Sequence, residues 1–158
     1  MTAMRLSRFV AAALLIAGLT PAPVLAFGSS DSSTSTSSST ASDYASAEKK
    51  VKAEKYADAI PLLEKVIKAD PKNANAYNYL GYSYRKLGHL DQALGYYEKA
   101  LAINPNHRGA NEYLGELYLE MKQVDKAKER LNILSTACNG CEEYVELKEK
   151  IEAYKAGS

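Results

Sequence analysis

The chain has little of what most protein chemistry is built from. It holds two cysteines, two histidines and no tryptophan in 158 residues. His89 and His107 fall in different turns, and neither has metal-ligand spacing to Cys138 or Cys141, so no metal set is expected. The serine-rich stretch lacks partnering His and Asp, and the glycines form no phosphate loop. Carboxylates alternate with lysines, as on solvated helix faces with i,i+4 pairs such as Glu48–Lys52 and Glu146–Lys150. No cofactor motif is present, and the chain does not read as an enzyme. An excess of one charge is also missing. The formal net charge is +1, which gives no general pull toward nucleic acid or anionic membrane.

Long apolar runs are scarce as well. The clearest, Phe9 to Gly18, is well short of the roughly 20 residues that cross a bilayer. Arg5 and Arg8 precede it, Pro21 and Pro23 follow, and the stretch ends Val24-Leu25-Ala26. This is the layout of a signal peptide over residues 1–26, cleaved after Ala26; a retained anchor helix is the competing reading. No cysteine lies near the cut and the arginines are separated, so neither a lipoprotein nor a twin-arginine signal is indicated. The expectation is an exported protein, periplasmic first and secreted as the alternative, with no membrane span after cleavage. What remains is about 132 residues, one domain by size, with 18 basic against 19 acidic side chains. Residues 27–42 are mostly Ser and Thr, with too few apolar groups to offset the entropy of ordering, and read as a disordered linker.

What the chain does have is a 34-residue echo. Tyr77, Leu80, Gly81, Tyr84, Ala93 and Tyr97 are followed by Asn111, Leu114, Gly115, Tyr118, Ala127 and Leu131. Ala59, Ala93 and Ala127 share the period, as do Pro71 and Pro105. A fixed period of this length signals stacked supersecondary units. Apolar residues recur at three- and four-residue steps from Ala41 onward, broken at Asp70-Pro71, Gly88, Asn104-Pro105 and Cys138-Asn139-Gly140. Seven helices are predicted: Asp43–Glu54, Tyr56–Ala69, Ala74–Leu87, Asp91–Ile103, Arg108–Met121, Val124–Ala137 and Cys141–Tyr154. Gly81 is expected to face Ala93 where paired helices cross closely, Gly88 to stop a helix, and Asp91 to favour the next helix start.

The middle unit reads Tyr77-x2-Leu80-Gly81-x2-Tyr84, then Ala93-x3-Tyr97-x2-Ala100-x4-Pro105. At these residues the chain resembles the tetratricopeptide repeat family, over about 100 residues. The third unit departs at Asn111 and Asn139. The first has Ala47 for the glycine and Lys50 for the aromatic. The resemblance implies an all-α helix-turn-helix solenoid of three units (about 40–73, 74–107 and 108–140, together 43–140). Residues 141–158 form the capping helix and tail, with Tyr144, Leu147, Ile151 and Tyr154 as its apolar stripe.

It also implies that the first helix of each pair lines a concave groove. The groove residues would be Asn75, Asn78, Tyr79, Tyr82, Arg85, Glu112, Tyr113 and Glu116, extended by Lys86 and Glu120, and by Tyr44, Glu48 and Lys52 of the first unit. Rings, amides and charges suit a peptide or a partner's helix. Glu112 and Glu116 argue against gripping a C-terminal carboxylate and for a ligand of some basic character. Packing of the tyrosines at helix surfaces is the plainer reading. The implied function is non-catalytic, an adaptor or assembly scaffold for a protein or peptide partner. In an exported chain Cys138 and Cys141 would form a disulfide fastening the last helix. A thiol–disulfide activity is weakened by Glu142 and Glu143 and by the lack of a βαβ pattern. Self-association of the array is a third reading.

Overall fold

A computed structural model describes residues 33–157, which hold seven α-helices and no strand. They are α1 (Ser33–Lys52), α2 (Tyr56–Ala69), α3 (Ala74–Lys86), α4 (Leu90–Ile103), α5 (Arg108–Glu120), α6 (Val124–Cys138) and α7 (Glu142–Ala156). The expected signal peptide and the start of the expected linker lie outside the described residues. The rest of that linker differs from expectation, because α1 begins at Ser33 rather than near Asp43. Its first buried side chain, among those described, is Ala47. The turns ahead of Tyr44, which packs at the edge of the core, precede that buried half. They continue a helix nucleated by its packed half, where adding a residue is far easier than starting a helix.

The helices pair as α1/α2, α3/α4 and α5/α6, and each pair stacks on the next. The turns inside the pairs are copies of one another. Glu54, Gly88 and Lys122, spaced 34 apart, have φ of 58°, 83° and 60°. Their N–H groups bond to the carbonyls of Val51, Arg85 and Leu119. The next N–H reaches back five residues: Lys55 to Lys50, His89 to Tyr84, Gln123 to Tyr118. This is the left-handed helix stop that turns the chain sharply, and only the middle copy uses glycine for it. Asp91 lies in the first turn of α4, where its charge meets the helix dipole, while the cap position belongs to His89 and has no side-chain bond.

The corners between pairs repeat as well. Asp70 Oδ1 accepts from Lys72 N–H at 3.1 Å and Asn73 Oδ1 from Ala76 N–H at 2.9 Å. One period on, Asn104 Oδ1 accepts from Asn106 N–H and His107 Nδ1 from Ala110 N–H. Another period on stand Cys138 and Cys141, side by side with Cα atoms 5.5 Å apart. Cys141 takes the cap position of α7 without a side-chain cap bond.

Close approach explains two glycines. A Cβ on Gly81 would lie 2.6 Å from the Tyr97 ring, so the expected partner, Ala93, is replaced by Tyr97. Ala93 is too small to fill the space, and the ring four residues on swings over the glycine. A Cβ on Gly115 would meet the Leu147 side chain at 2.5 Å, so that glycine seats α7. Ala59, Ala93 and Ala127 are all fully buried. Around them the core runs from Leu63, Val66 and Leu80 through Tyr97, Leu114 and Leu117 to Leu134, Leu147 and Ile151. As the capping stripe predicts, α7 packs on both α5 and α6.

A side chain in the left-handed region costs about 1 kcal/mol, which glycine avoids. Glu54 and Lys122 are exposed. Lys122→Gly and Glu54→Gly should each raise stability by up to about 1 kcal/mol, and Gly88→Lys should lower it similarly. Urea midpoints at unchanged slope measure this; a fall in midpoint for both glycine variants would refute the account of the turns.

Candidate functional site

The odd-numbered helices touch one another in sequence: α1 meets α3, α3 meets α5 and α5 meets α7. The even helices of successive pairs do not touch. The stack therefore curves with α1, α3, α5 and α7 on its inner face.

Tyrosines gather there. Tyr82 and Tyr113 have ring centroids 4.7 Å apart, Tyr56 and Tyr82 5.9 Å, and Tyr44 and Tyr79 5.9 Å. Tyr79 donates its hydroxyl proton to Glu48 at 3.4 Å. With Val51, Lys52, Glu54 and Tyr56, the rings of Tyr79, Tyr82 and Tyr113 line a cavity of about 260 Å³. Burial raises the phenol pKa of Tyr56, Tyr79 and Tyr113, so these hydroxyls stay protonated. Four of the expected groove residues, Lys52, Tyr79, Tyr82 and Tyr113, thus meet in one cavity. Tyr56, Val51 and Glu54 were not expected there. Tyr56 opens α2 directly after the turn at Glu54, and that turn carries it to the inner edge.

The other expected groove residues are placed differently. Asn75 is exposed, but its Oδ1 lies 2.8 Å from His107 Nε2 in the next corner. Burial lowers the His107 pKa. A neutral ring with its proton on Nε2 satisfies both Asn75 and the cap bond from Ala110. Asn78 is buried. Arg85 is only 7 % exposed. Its guanidinium bridges Glu116 at 2.5 Å and Glu120 at 2.8 Å, and lies 5.5 Å from the Tyr82 ring centroid and 5.8 Å from that of Tyr113. It is a floor beneath the tyrosines rather than an outward contact.

Glu112 is deeper still, 3 % exposed. Its carboxylate gathers with those of Glu116 and Glu146, with ligand oxygens within 4.8 Å of one another. Lys150 of α7 supplies the positive charge: it pairs with Glu116, lies 3.6 Å from Glu146 and 3.9 Å from Glu112. Burial pushes the Glu112 carboxyl up to about 9, helped by its hydrogen bond to Glu146 and by the charges of Glu116 and Glu146, against the pull of Lys150. At neutral pH Glu112 is a carboxylic acid bonded to a carboxylate of α7. The reason for expecting a basic ligand is thereby weakened, because Arg85 and Lys150 already serve these acids.

A model of the tetratricopeptide repeat matches residues 44–108, and a second matches residues 84–151. Among solved structures, the first such domain of Spaghetti (RPAP3) bound to the HSP90 peptide SRMEEVD is 22% identical with a TM-score of 0.68, over 76% of this chain and 95% of that one. The TPR2B domain of yeast Sti1 in its pHsp70 complex is 17% identical with a TM-score of 0.70, over 77% and 99%. The Yersinia enterocolitica type III secretion translocator chaperone SycD is 18% identical with a TM-score of 0.68, over 77% and 86%. At these identities the likeness is one of fold. No curated protein matches this chain in sequence.

The Glu112 pKa carries a sign. It stands above the ordinary carboxyl value, so the folded state holds the extra proton between about pH 4.5 and pH 9. Stability should therefore fall as pH rises through that window. Glu112→Gln keeps a donor for Glu146 and carries no ionisation cost. It should melt a few degrees higher than the parent at about pH 8, with the gap closing toward about pH 5. Parallel melting-versus-pH curves for the two proteins would refute it.

Proposed function

The chain belongs to the tetratricopeptide repeat family, and from that premise we propose that it is a non-catalytic interaction module whose inner face holds a segment of a partner protein. The observation that carries this is the tyrosine-lined cavity built jointly by the first three odd helices and the start of α2. Rings supply large contact area for little lost rotamer freedom, and phenols add hydrogen bonds. Neighbours of this fold solved with HSP90 and HSP70 peptides support the reading. Self-association through the last helix is less favoured, since its outward positions Lys148, Glu149, Glu152 and Lys155 are charged and exposed. Export with cleavage after Ala26 is part of the same proposal, as is an adaptor or scaffold role in the cell envelope, with periplasm ahead of secretion.

The cysteine pair fits this module as a staple. Cys138 and Cys141 occupy the corner where Asp70/Asn73 and Asn104/His107 use side-chain hydrogen bonds, and a disulfide would hold the third corner in their place. A thiol–disulfide activity is the second reading. It draws on Cys141 standing at the α7 N-terminus, where the helix dipole favours a thiolate, with Glu142 and Glu143 opposing.

Three measurements test these statements. The chain from Phe27 onward should capture a partner from envelope extract that the helical Tyr79→Ala/Tyr82→Ala/Tyr113→Ala variant does not; equal capture by both removes the groove. Reduction of Cys138–Cys141 should cost roughly 2 kcal/mol of stability, read from urea midpoints. Cys138→Asn/Cys141→Asn, which restores the residue types of the earlier corners, should regain part of that loss. Turnover of a disulfide substrate, lost on Cys141→Ser, would instead favour the redox reading.

A further inference from the structure

The outer helix of the middle unit carries a row of residues that the inner face does not use. Asp91, Gly95 and Lys99 stand four residues apart on α4 and, with Gln92 and Tyr96, line a cavity of about 260 Å³. Four residues advance a helix by about 6 Å and turn it by about 40°, so Asp91 and Lys99 lie at equal distances on either side of Gly95 along one face. Helix α4 packs on α3 and α5 and touches neither α2 nor α6, and both charged ends of the row are exposed.

Nothing within the chain completes this row. Among the described residues, neither Asp91 nor Lys99 has an ion partner. One period on, Asp125 is paired with Lys128 at 2.7 Å, whereas Asp91 has Leu94 at that spacing. Gly95 is the least expected member. Glycine weakens a helix interior, and here it relieves no crowding, since an added Cβ would meet nothing within 4 Å. Gly81 and Gly115 each seat a side chain of their own chain; Gly95 seats none. The equivalent positions hold Pro61 and Glu129, so the repeat does not require a glycine there. Lys99 is held in place by rings: its Nζ lies 5.2 Å from the Tyr96 centroid and 6.0 Å from that of Tyr77, and Tyr96 stacks on Tyr84 at 5.3 Å. Glu64 of α2 is near enough to act on the Tyr96 phenol but forms no ion pair with Lys99. An ammonium already ordered by ring faces loses little freedom when a carboxylate arrives.

A row with an acid at one end, a base at the other and a gap at its centre is complementary to itself reversed. A two-fold axis through Gly95 sets Asp91 against Lys99 of a second copy and Lys99 against Asp91 of that copy, both at once, as an isologous contact requires. The two glycines then face each other, where no side chain holds the backbones apart. We propose that α4 pairs antiparallel with α4 of a second copy of this chain, Asp91 to Lys99 and Gly95 to Gly95, forming a weak homodimer through the outer layer. Both inner faces stay free in it; that the dimer bridges two partner segments rests on the module reading above.

Sedimentation equilibrium of the full chain between about 10 µM and about 1 mM reads the pairing. Kd is expected on the order of 0.1 mM, since partly exposed ion pairs each contribute little. Asp91→Lys makes the row wholly cationic and Lys99→Asp makes it wholly anionic, and each alone should weaken the dimer at least tenfold. Mixed in equal amounts, these two variants should associate about as tightly as the parent, and so should the double exchange Asp91→Lys/Lys99→Asp by itself. Gly95→Glu should abolish association while melting no lower than the parent, because the added side chain meets open space within one copy. Glu149→Lys, an equal change of charge on an exposed position of α7, should leave the dimer unchanged. A parent chain that stays monomeric to about 1 mM, a dimer that survives Gly95→Glu, or two folded single variants that do not associate when mixed would overturn the proposal. The readout is mass rather than capture, so the two readings fail separately: a monomer leaves the groove standing, and capture independent of the tyrosines leaves the dimer standing.

Discussion

The architecture depends on one backbone conformation, the left-handed residue that ends the first helix of each pair. Glu54, Gly88 and Lys122 adopt it with the same two reverse hydrogen bonds. The turn is so short that the second helix must fold straight back on the first. That return brings Ala59, Ala93 and Ala127 into the interior with no exposed surface. Small residues allow close pairs, close pairs stack, and the stack curves because the odd helices of successive pairs meet while the even helices of successive pairs do not. The inner face, and so the gathering of tyrosines from α2, α3 and α5, follows from a turn that two of the three copies adopt despite having a side chain to accommodate.

Helices α2 to α7 were legible to within a residue or two, for local reasons. Proline cannot continue a helix at Pro71 and Pro105, and the left-handed stop at Gly88 is written as glycine. The same stop at Glu54 and Lys122 carries no compositional signal and is visible only through the period. The early start of α1 was illegible because Ser and Thr weaken a helix without forbidding one. The partner of Gly81 was misassigned to Ala93 because a small residue facing a small residue is the simplest way to close a gap. The structure closes it with the Tyr97 ring, which reaches across from one turn further along α4.

The candidate site was legible as a face and not as a depth. Periodicity placed Asn78, Tyr79, Tyr82, Arg85, Glu112, Tyr113 and Glu116 on the first helices of their pairs, where they are. Each residue turns a helix by about 100°, so neighbours on one face differ greatly in exposure. Tyr79, Tyr82 and Tyr113 remain accessible, while Asn78, Arg85 and Glu112 sink between helices. Their partners come from the next unit: Glu116 and Glu120 for Arg85, Glu146 and Lys150 for Glu112. Those pairings follow from the stacking of units, which a single helix does not reveal.

The same stacking decides what the inner face can recognise. Across three periods, equivalent inner positions carry Glu48, Tyr82, Glu116 and Lys150. An unpaired row of this kind would attract a charged ligand. Instead Glu48 is met by Lys52, and Glu116 by both Arg85 and Lys150. Glu48 and Glu116 are thus committed to cations of their own chain, and the surplus carboxyl, Glu112, is neutralised by taking a proton in a buried setting, while Glu54 at the cavity edge stays exposed. An outside charge that sought Glu116 or Arg85 would have to undo a contact that also holds α5 to α3 or α7 to α5. Electrostatics at these pairs therefore serves cohesion of the stack, and what is left to meet a ligand is the ring faces and phenols of the cavity, with Glu54 and Lys86 beside them.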